Sequence, residues 1–99
     1  MWVCNGKFIL DFYNNDNLAL KHRNIEKLCK EIRRHFNISI LETEDNDNLE
    51  RCVVGFSLVA PEHWERHKMD EFIQKICQTV DTTAFARVTS EDYEILARV

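Results

Sequence analysis

Hydrophobic and polar residues alternate at the start of the chain. Over residues 2–13 most of the alternate positions carry an apolar residue, which predicts a β-strand with one buried face. The apolar positions of that face are Trp2, Cys4, Phe8, Leu10 and Phe12. The polar run at residues 14–17 predicts a turn whose last residues cap a following helix.

A helical repeat comes next and predicts an amphipathic helix over residues 18–35. Its apolar stripe consists of Ile25, Leu28, Cys29, Ile32 and Phe36. Alternation returns at residues 38–43 and again at residues 52–59, so two further strands are predicted. The segment between them is acidic and rich in asparagine, which is typical of a hairpin loop.

The second half of the chain repeats the pattern. Residues 61–80 predict a second helix, because Pro61 suits a first helical turn and apolar residues recur with helical period. Phe85 and Val88 predict a last short strand. The tail over residues 90–99 predicts a turn with a short helix or strand.

The order β-α-β-β-α-β indicates an α+β protein of the ferredoxin-like type. Such a fold has a four-stranded antiparallel sheet with two helices on one face. The chain has 99 residues, 44% of them hydrophobic and 30% charged, which is the balance of a single globular domain. We therefore predict one domain over residues 1–99.

Four cysteines, at positions 4, 29, 52 and 77, bear on the compartment. Three roles are open to them: two disulfides in a secreted protein, metal binding or catalysis, and buried reduced thiols. All four fall on predicted core-facing positions, which favours buried, reduced thiols. The N-terminus lacks a signal-peptide pattern and no apolar run has the length of a membrane span, so we expect a cytosolic protein.

Charge is distributed unevenly along the chain. The net charge is −4, yet residues 21–35 hold six basic and two acidic residues, a local charge of +4 that leaves −8 for the remainder. The basic residues proposed to bind a partner are Lys21, Arg23, Lys27, Lys30 and Arg34. Their spacing places the last four opposite the apolar stripe. One interpretation is a surface for RNA phosphate, and the other is an ordinary solvated helix face.

The face of the sheet turned away from the helices suggests a different partner. We predict an exposed apolar patch there, formed by Val3, Ile9, Leu41, Val53 and Val59. Such a patch favours a homodimer through the sheet, although scattered surface valines are common. RNA binding on this face is disfavoured, because Tyr13 alone offers an aromatic platform.

Signals for catalysis or metal binding are weak. His63 and His67 are four apart on the predicted second helix, but a zinc site needs a third ligand and a metalloprotease needs Glu after the first histidine. The acidic loop begins like a calcium loop but carries Glu50 and Phe56 where that loop needs Gly and Glu. Trp64 either contacts a partner or covers a helix end. We expect no cofactor, no metal and no enzymatic activity.

The middle of the chain resembles the YlxP-like family, a bacterial family of small domains of unknown function. The similar segments are Phe36-Asn37-Ile38-Ser39-Ile40, Glu42, Asp47-x-x-Glu50-Arg51 and Gly55-Phe56-Ser57-Leu58-Val59, with Leu18 and Lys21 upstream. The resemblance implies a setting in translation or ribosome assembly. It also implies that Asp47 and Arg51 flank the hairpin as a pair, either fixing the loop or contacting a partner.

Overall fold

The structure is a computed structural model that describes residues 1–12, 17–44, 47–83 and 86–99. Its elements are β1 (Trp2–Phe12), α1 (Leu18–His35), β2 (Ser39–Glu44), β3 (Arg51–Ala60), α2 (Arg66–Asp81) and β4 (Ala86–Arg98). The strands form one antiparallel sheet in the order β2-β3-β1-β4. The predicted ferredoxin-like α+β architecture is confirmed.

Some sequence predictions concern residues outside the described parts of the chain. These are the turn at residues 14–16, Tyr13 at the end of the first strand, Asp45 and Asn46 at the start of the acidic loop, and Phe85.

The core lies between the two helices and one face of the sheet. The inward face of β1 is buried as predicted from Cys4 to Phe12, while Trp2 is only partly buried, and Phe8 stacks on Phe56 of β3 with 4.7 Å between ring centroids. Each helix contributes its apolar stripe to the same cluster. All four cysteines are free thiols within this core, in agreement with their core-facing positions in the sequence.

The last strand is much longer than predicted. β4 has 13 residues and pairs with β1 along its whole length. The sequence concealed this strand because the register shifts between Val3 and Cys4 and again between Ile9 and Leu10. Each shift inserts an irregularity that interrupts the alternation of inward and outward side chains. The tail therefore forms neither a turn nor a helix.

The second helix begins later than predicted, at Arg66 instead of Pro61. Residues 61–64 form a turn closed by a hydrogen bond from Trp64 N to Pro61 O of 3.1 Å. The Trp64 carbonyl accepts a hydrogen bond from Trp2 Nε1 at 3.1 Å, and its ring packs against Phe72 at 5.5 Å. These contacts across the fold fix the turn, so proline propensity does not decide where the helix begins. The Trp64 ring therefore packs against α2 and the core, and its two predicted roles stay predictions.

Within the described residues, neither helix has the length and apolar character needed to cross a membrane.

Candidate functional site

The outward surface of α1 is the candidate binding surface. Asn17 begins the helix, since its side chain accepts a hydrogen bond from Leu20 N at 2.8 Å. Arg33 and Arg34 lie in its last turn, where positive charge interacts favourably with the helix dipole. The buried stripe points at the sheet, and the opposite surface is therefore left to solvent.

Four basic side chains form this surface, which we call the basic face: Arg23, Lys27, Lys30 and Arg34. All four are exposed, and they span about 16 Å along the helix axis at 1.5 Å per residue. Arg34 lies 3.8 Å from Glu31, an exposed pair that contributes little stability. Within the described residues, the other three form no salt bridge.

Lys21 was predicted to bind a partner with the other four residues, but it does not belong to the basic face. Its side chain is 0% exposed, and its Nζ lies 3.8 Å from Glu42 Oε2. Lys21 precedes Ile25 by four residues and therefore lies on the apolar stripe of the helix. That spacing was visible in the sequence and signals burial. The Glu42 carboxylate that accompanies Lys21 was not visible in the sequence.

Glu42 links the start of α1 to β2. One carboxylate oxygen lies 2.9 Å from His22 Nδ1, and the other is buried without a hydrogen-bond partner among the described residues. The contact brings together Lys21 and Glu42, two residues from separate segments of the YlxP-like resemblance. This buried polar contact positions the basic helix on the edge of the sheet.

A depression of about 280 Å³ lies between α1 and β2, directly beside the basic face. Its lining residues are His22, Ile25, Glu26, Cys29, Arg33, Leu41 and Glu42. Arg33 donates a hydrogen bond from Nη1 to Ile40 O at 2.7 Å.

Burial also decides the protonation of two cysteines in this region. It raises the pKa of Cys29 to about 11, so the Cys29 thiol stays protonated at neutral pH. Burial and the neighbouring Glu42 also raise the pKa of Cys52.

The hairpin residues Asp47 and Arg51 are both exposed. Asp47 lies in the turn before β3 and Arg51 is the first residue of that strand, opposite Asp11 of β1. The side chain of Asn48 accepts hydrogen bonds from the backbone of Glu50 and Arg51, at 2.9 and 3.1 Å. Asn48 is thus a loop-fixing residue that the sequence analysis missed. The pairing of Asp47 with Arg51 stays a prediction.

The outward face of the sheet carries most of the predicted apolar patch. Leu41 and Val59 are 59% and 52% exposed, and Val3 and Ile9 are partly buried. Val53 is only 3% exposed, so its predicted exposure is wrong. It lies on a central strand between Ile9 of β1 and Glu44 of β2.

Leu96 belongs to the same face and was missed by the sequence analysis. It is 55% exposed and lies on edge strand β4, within the tail for which no long strand was predicted. Together with Leu41 it flanks a trough of about 410 Å³. The trough is hollow at its floor because Gly55 and Ser57 contribute little side chain.

The two histidines proposed as a weak metal pair do not share a helix. His63 lies in the turn before α2, whereas His67 is in the helix and 3.2 Å from Glu65. The later start of α2 separates them. Across the described ranges, no group of three or more His, Cys, Asp or Glu residues is arranged to hold a metal ion.

Comparison with known proteins gives a family and no function. No curated protein matches this chain significantly. The family described as Protein of unknown function (DUF503) matches residues 3–93, which include every strand and helix up to the middle of β4. The chain therefore belongs to the DUF503 family.

Proposed function

We propose that this protein is a non-catalytic module that binds RNA, within a ribosome or ribosomal complex, through the basic face of α1. The observation that carries the proposal is the clustering of four exposed cations in a chain of net charge −4. A local positive surface attracts phosphate even when the whole chain is acidic, because interactions beyond about 10 Å are screened by salt.

The arrangement of charges within α1 supports this proposal. The cations could be neutralised by acidic residues of the same helix, but only Glu31 lies within salt-bridge distance of one of them, Arg34. Arg23, Lys27 and Lys30 therefore keep their charge available to a partner. Exposed lysine and arginine side chains are the groups that neutralise phosphates in RNA complexes.

The hairpin residues Asp47 and Arg51 extend the proposed surface. α1 begins over Glu42, near the end of β2, and Asp47 follows that end of the strand by three residues. Arg51 adds a further cation, and Asp47 would accept hydrogen bonds from the partner. We also propose that the chain is a YlxP-like member of its family in the cytosol. The similar segments and the buried free thiols support these two statements.

The test is sedimentation with ribosomes and ribosomal subunits at low and moderate salt. Arg23, Lys27, Lys30 and Arg34 are all changed to Glu in the test variant. We expect the wild-type protein to sediment with ribosomal particles at low salt, and the variant to remain in the supernatant. Equal behaviour of the two proteins, bound or free, would contradict the proposal and leave the basic face as a solvated surface.

A second candidate function is self-association through the outward face of the sheet. Leu41, Val59 and Leu96 are exposed on one face, and the trough beside the two leucines offers a complementary hollow. A two-fold interface needs projections and hollows on the same patch, and this face has both. The face measures about 600 Å² by strand length and spacing, below the area that each partner of a standard interface buries, so we expect a weak dimer.

Analytical ultracentrifugation of the wild-type protein and two variants tests the dimer. Leu96→Lys places a charge in the expected interface, and we expect it to make the protein monomeric. Leu18→Lys is the matched control, since Leu18 is 36% exposed at the start of α1 and away from that face. A wild-type protein that stays monomeric at high concentration would contradict this candidate. The two functions are compatible, because such a dimer leaves both basic faces exposed.

A further inference from the structure

We propose that the depression between α1 and β2 binds an unpaired nucleobase of the RNA whose phosphates lie on the basic face. This inference rests on the proposed RNA binding and adds to it a site that contacts bases. Proteins that recognise single-stranded RNA commonly combine such a charged surface with a nearby place for a splayed base.

The depression lies next to the basic face on the surface of α1. Glu26 precedes Lys30 by four residues and Arg33 follows it by three, so these three side chains are neighbours on the helix surface. Lys30 belongs to the basic face, whereas Glu26 and Arg33 line the depression. A nucleotide whose phosphate contacts Lys30 therefore has its base within reach of the depression.

The walls of the depression suit a flat, largely apolar ring. Ile25 and Cys29 of α1 line its buried side with apolar atoms, and Leu41 and Glu42 of edge strand β2 form the opposite rim. Its volume of about 280 Å³ lies near the lower end of the range for small-ligand sites. The ring of His22 is held at Nδ1 by Glu42 and is 42% exposed, so it is oriented and accessible for stacking.

The depression has no excess of positive charge, which favours a neutral ligand over a phosphate: its lining carries Glu26, Glu42 and Arg33, and Lys21 lies buried behind Glu42. Glu42 lies 3.8 Å from Lys21. A nucleobase is the neutral and planar part of an otherwise anionic polymer. The polar edge of a base carries hydrogen-bond donors and acceptors. The donors match the Glu26 carboxylate, and the acceptors match the guanidinium N–H groups of Arg33 that do not bond Ile40.

The experiment compares two ligands that carry the same phosphates. A short single-stranded oligoribonucleotide and an abasic oligomer of the same length are titrated against the intact protein, with fluorescence anisotropy as the readout. The wild-type protein should prefer the base-containing oligomer by about 5-fold or more, the usual contribution of stacking one base. His22→Ala should remove that preference and leave affinity for the abasic oligomer unchanged.

Two further variants control for structure and for charge. His35→Ala is the matched control, because His35 is also on α1 and bonded to a glutamate, Glu31 at 2.8 Å, but lies outside the depression. We expect it to keep the preference of the wild-type protein. His22→Phe keeps an aromatic ring and loses the bond to Glu42, so it should retain the preference if stacking is the cause.

The possible failures are distinguishable. If the wild-type protein binds both oligomers equally, or if His22→Ala keeps the preference, the base site is wrong while RNA binding through the basic face stands. If neither oligomer binds at low salt, the proposed function fails and the base site fails with it.

Discussion

The two helices of this protein pack on the sheet in the same way but differ in the charge of their exposed surfaces. Both pack an apolar stripe on the same side of the sheet, and they have 18 and 16 residues. α1 carries six basic and two acidic residues, a net charge of +4, whereas α2 carries three of each and has no net charge. Packing against the sheet depends on the apolar stripe and does not require either of these charge distributions.

The polar groups of α2 are used inside the molecule. Cys77 Sγ lies 2.8 Å from Glu91 of β4, Tyr93 bonds Asp70, and Arg66 lies 5.4 Å from the centre of the Tyr93 ring. On α1 the polar contacts to the sheet are concentrated at Lys21, His22 and Arg33, and the basic face points away from it. Several polar side chains of α2 therefore contact β4, whereas the basic face of α1 is exposed to solvent.

The largest effect is expected from the buried contact of α1. Glu42→Gln removes the negative charge beside the buried Lys21, and we expect the free energy of unfolding to fall by about 3 kcal/mol. Glu91→Gln, at the corresponding polar contact of α2, involves an exposed carboxylate and should cost less than about 1 kcal/mol. Denaturant titration measures both.

A double variant at Lys21 and Glu42 distinguishes the cost of an unpaired buried charge from a general loss of packing. Replacing Lys21 with Met together with Glu42 with Leu should recover most of the loss, since apolar residues can replace a buried ion pair. A Glu42→Gln protein as stable as the wild type would contradict the prediction.

The cysteines of both helices should be nearly unreactive in the folded protein. Burial raises the pKa of Cys29 from 9.0 to about 11, so less of it is thiolate at any pH below that value. Two pKa units reduce the rate of alkylation at about pH 8 by about 100-fold relative to the unfolded chain. Mass spectrometry after iodoacetamide treatment measures the rate. Cys77, whose pKa is also raised by burial and by Glu91, should be protected as well.

Stability should respond to pH with a definite sign. Because the folded pKa of Cys29 lies above the unfolded value, the contribution of this thiol to the free energy of unfolding is complete below about pH 9 and is lost as pH rises toward 11.

The alkylation experiment has a clear contrary outcome. Alkylation of Cys29 in the folded protein at the rate of the unfolded chain would show that the thiol is not shielded.

Matched charge reversals test whether the two helices differ in binding. Lys27→Glu with Lys30→Glu on α1 should weaken RNA binding by about tenfold and lower the salt slope by about 1.4, for two lost phosphate contacts on a single strand. Lys68→Glu with Lys75→Glu reverses two exposed lysines of α2 and should change neither quantity. Equal losses in both variants would indicate a general charge effect, with no role for the face of α1.

The smallest effects concern the helix starts. Asn17 caps α1 through its side chain, whereas Glu65 at the start of α2 makes no such hydrogen bond. Asn17→Ala should therefore lower stability by about 1 kcal/mol, and Glu65→Asp should raise it by about 0.5 kcal/mol. Thermal unfolding measures both changes. A loss of stability in Glu65→Asp would mean that its contact with His67 matters more than the missing cap.

Several parts of the candidate site were predictable because they depend on neighbours along the chain. The basic face follows from the three- and four-residue spacing of Arg23, Lys27, Lys30 and Arg34. Leu96 and the depression beside α1 were not predictable, since each depends on which strand lies next to which element. Lys21 is intermediate, because its place on the apolar stripe was visible and its contact with Glu42 was not.

The sequence by itself determined the order of elements, the apolar faces, the buried cysteines and the charge segregation of α1. These properties follow from local periodicity, which repeats every two residues in a strand and every 3.6 in a helix. The tertiary structure alone decided the length of β4, the start of α2, the burial of Val53 and the meeting of Lys21 with Glu42. Each of these depends on pairing between distant segments, where register shifts and cross-chain contacts override local preference.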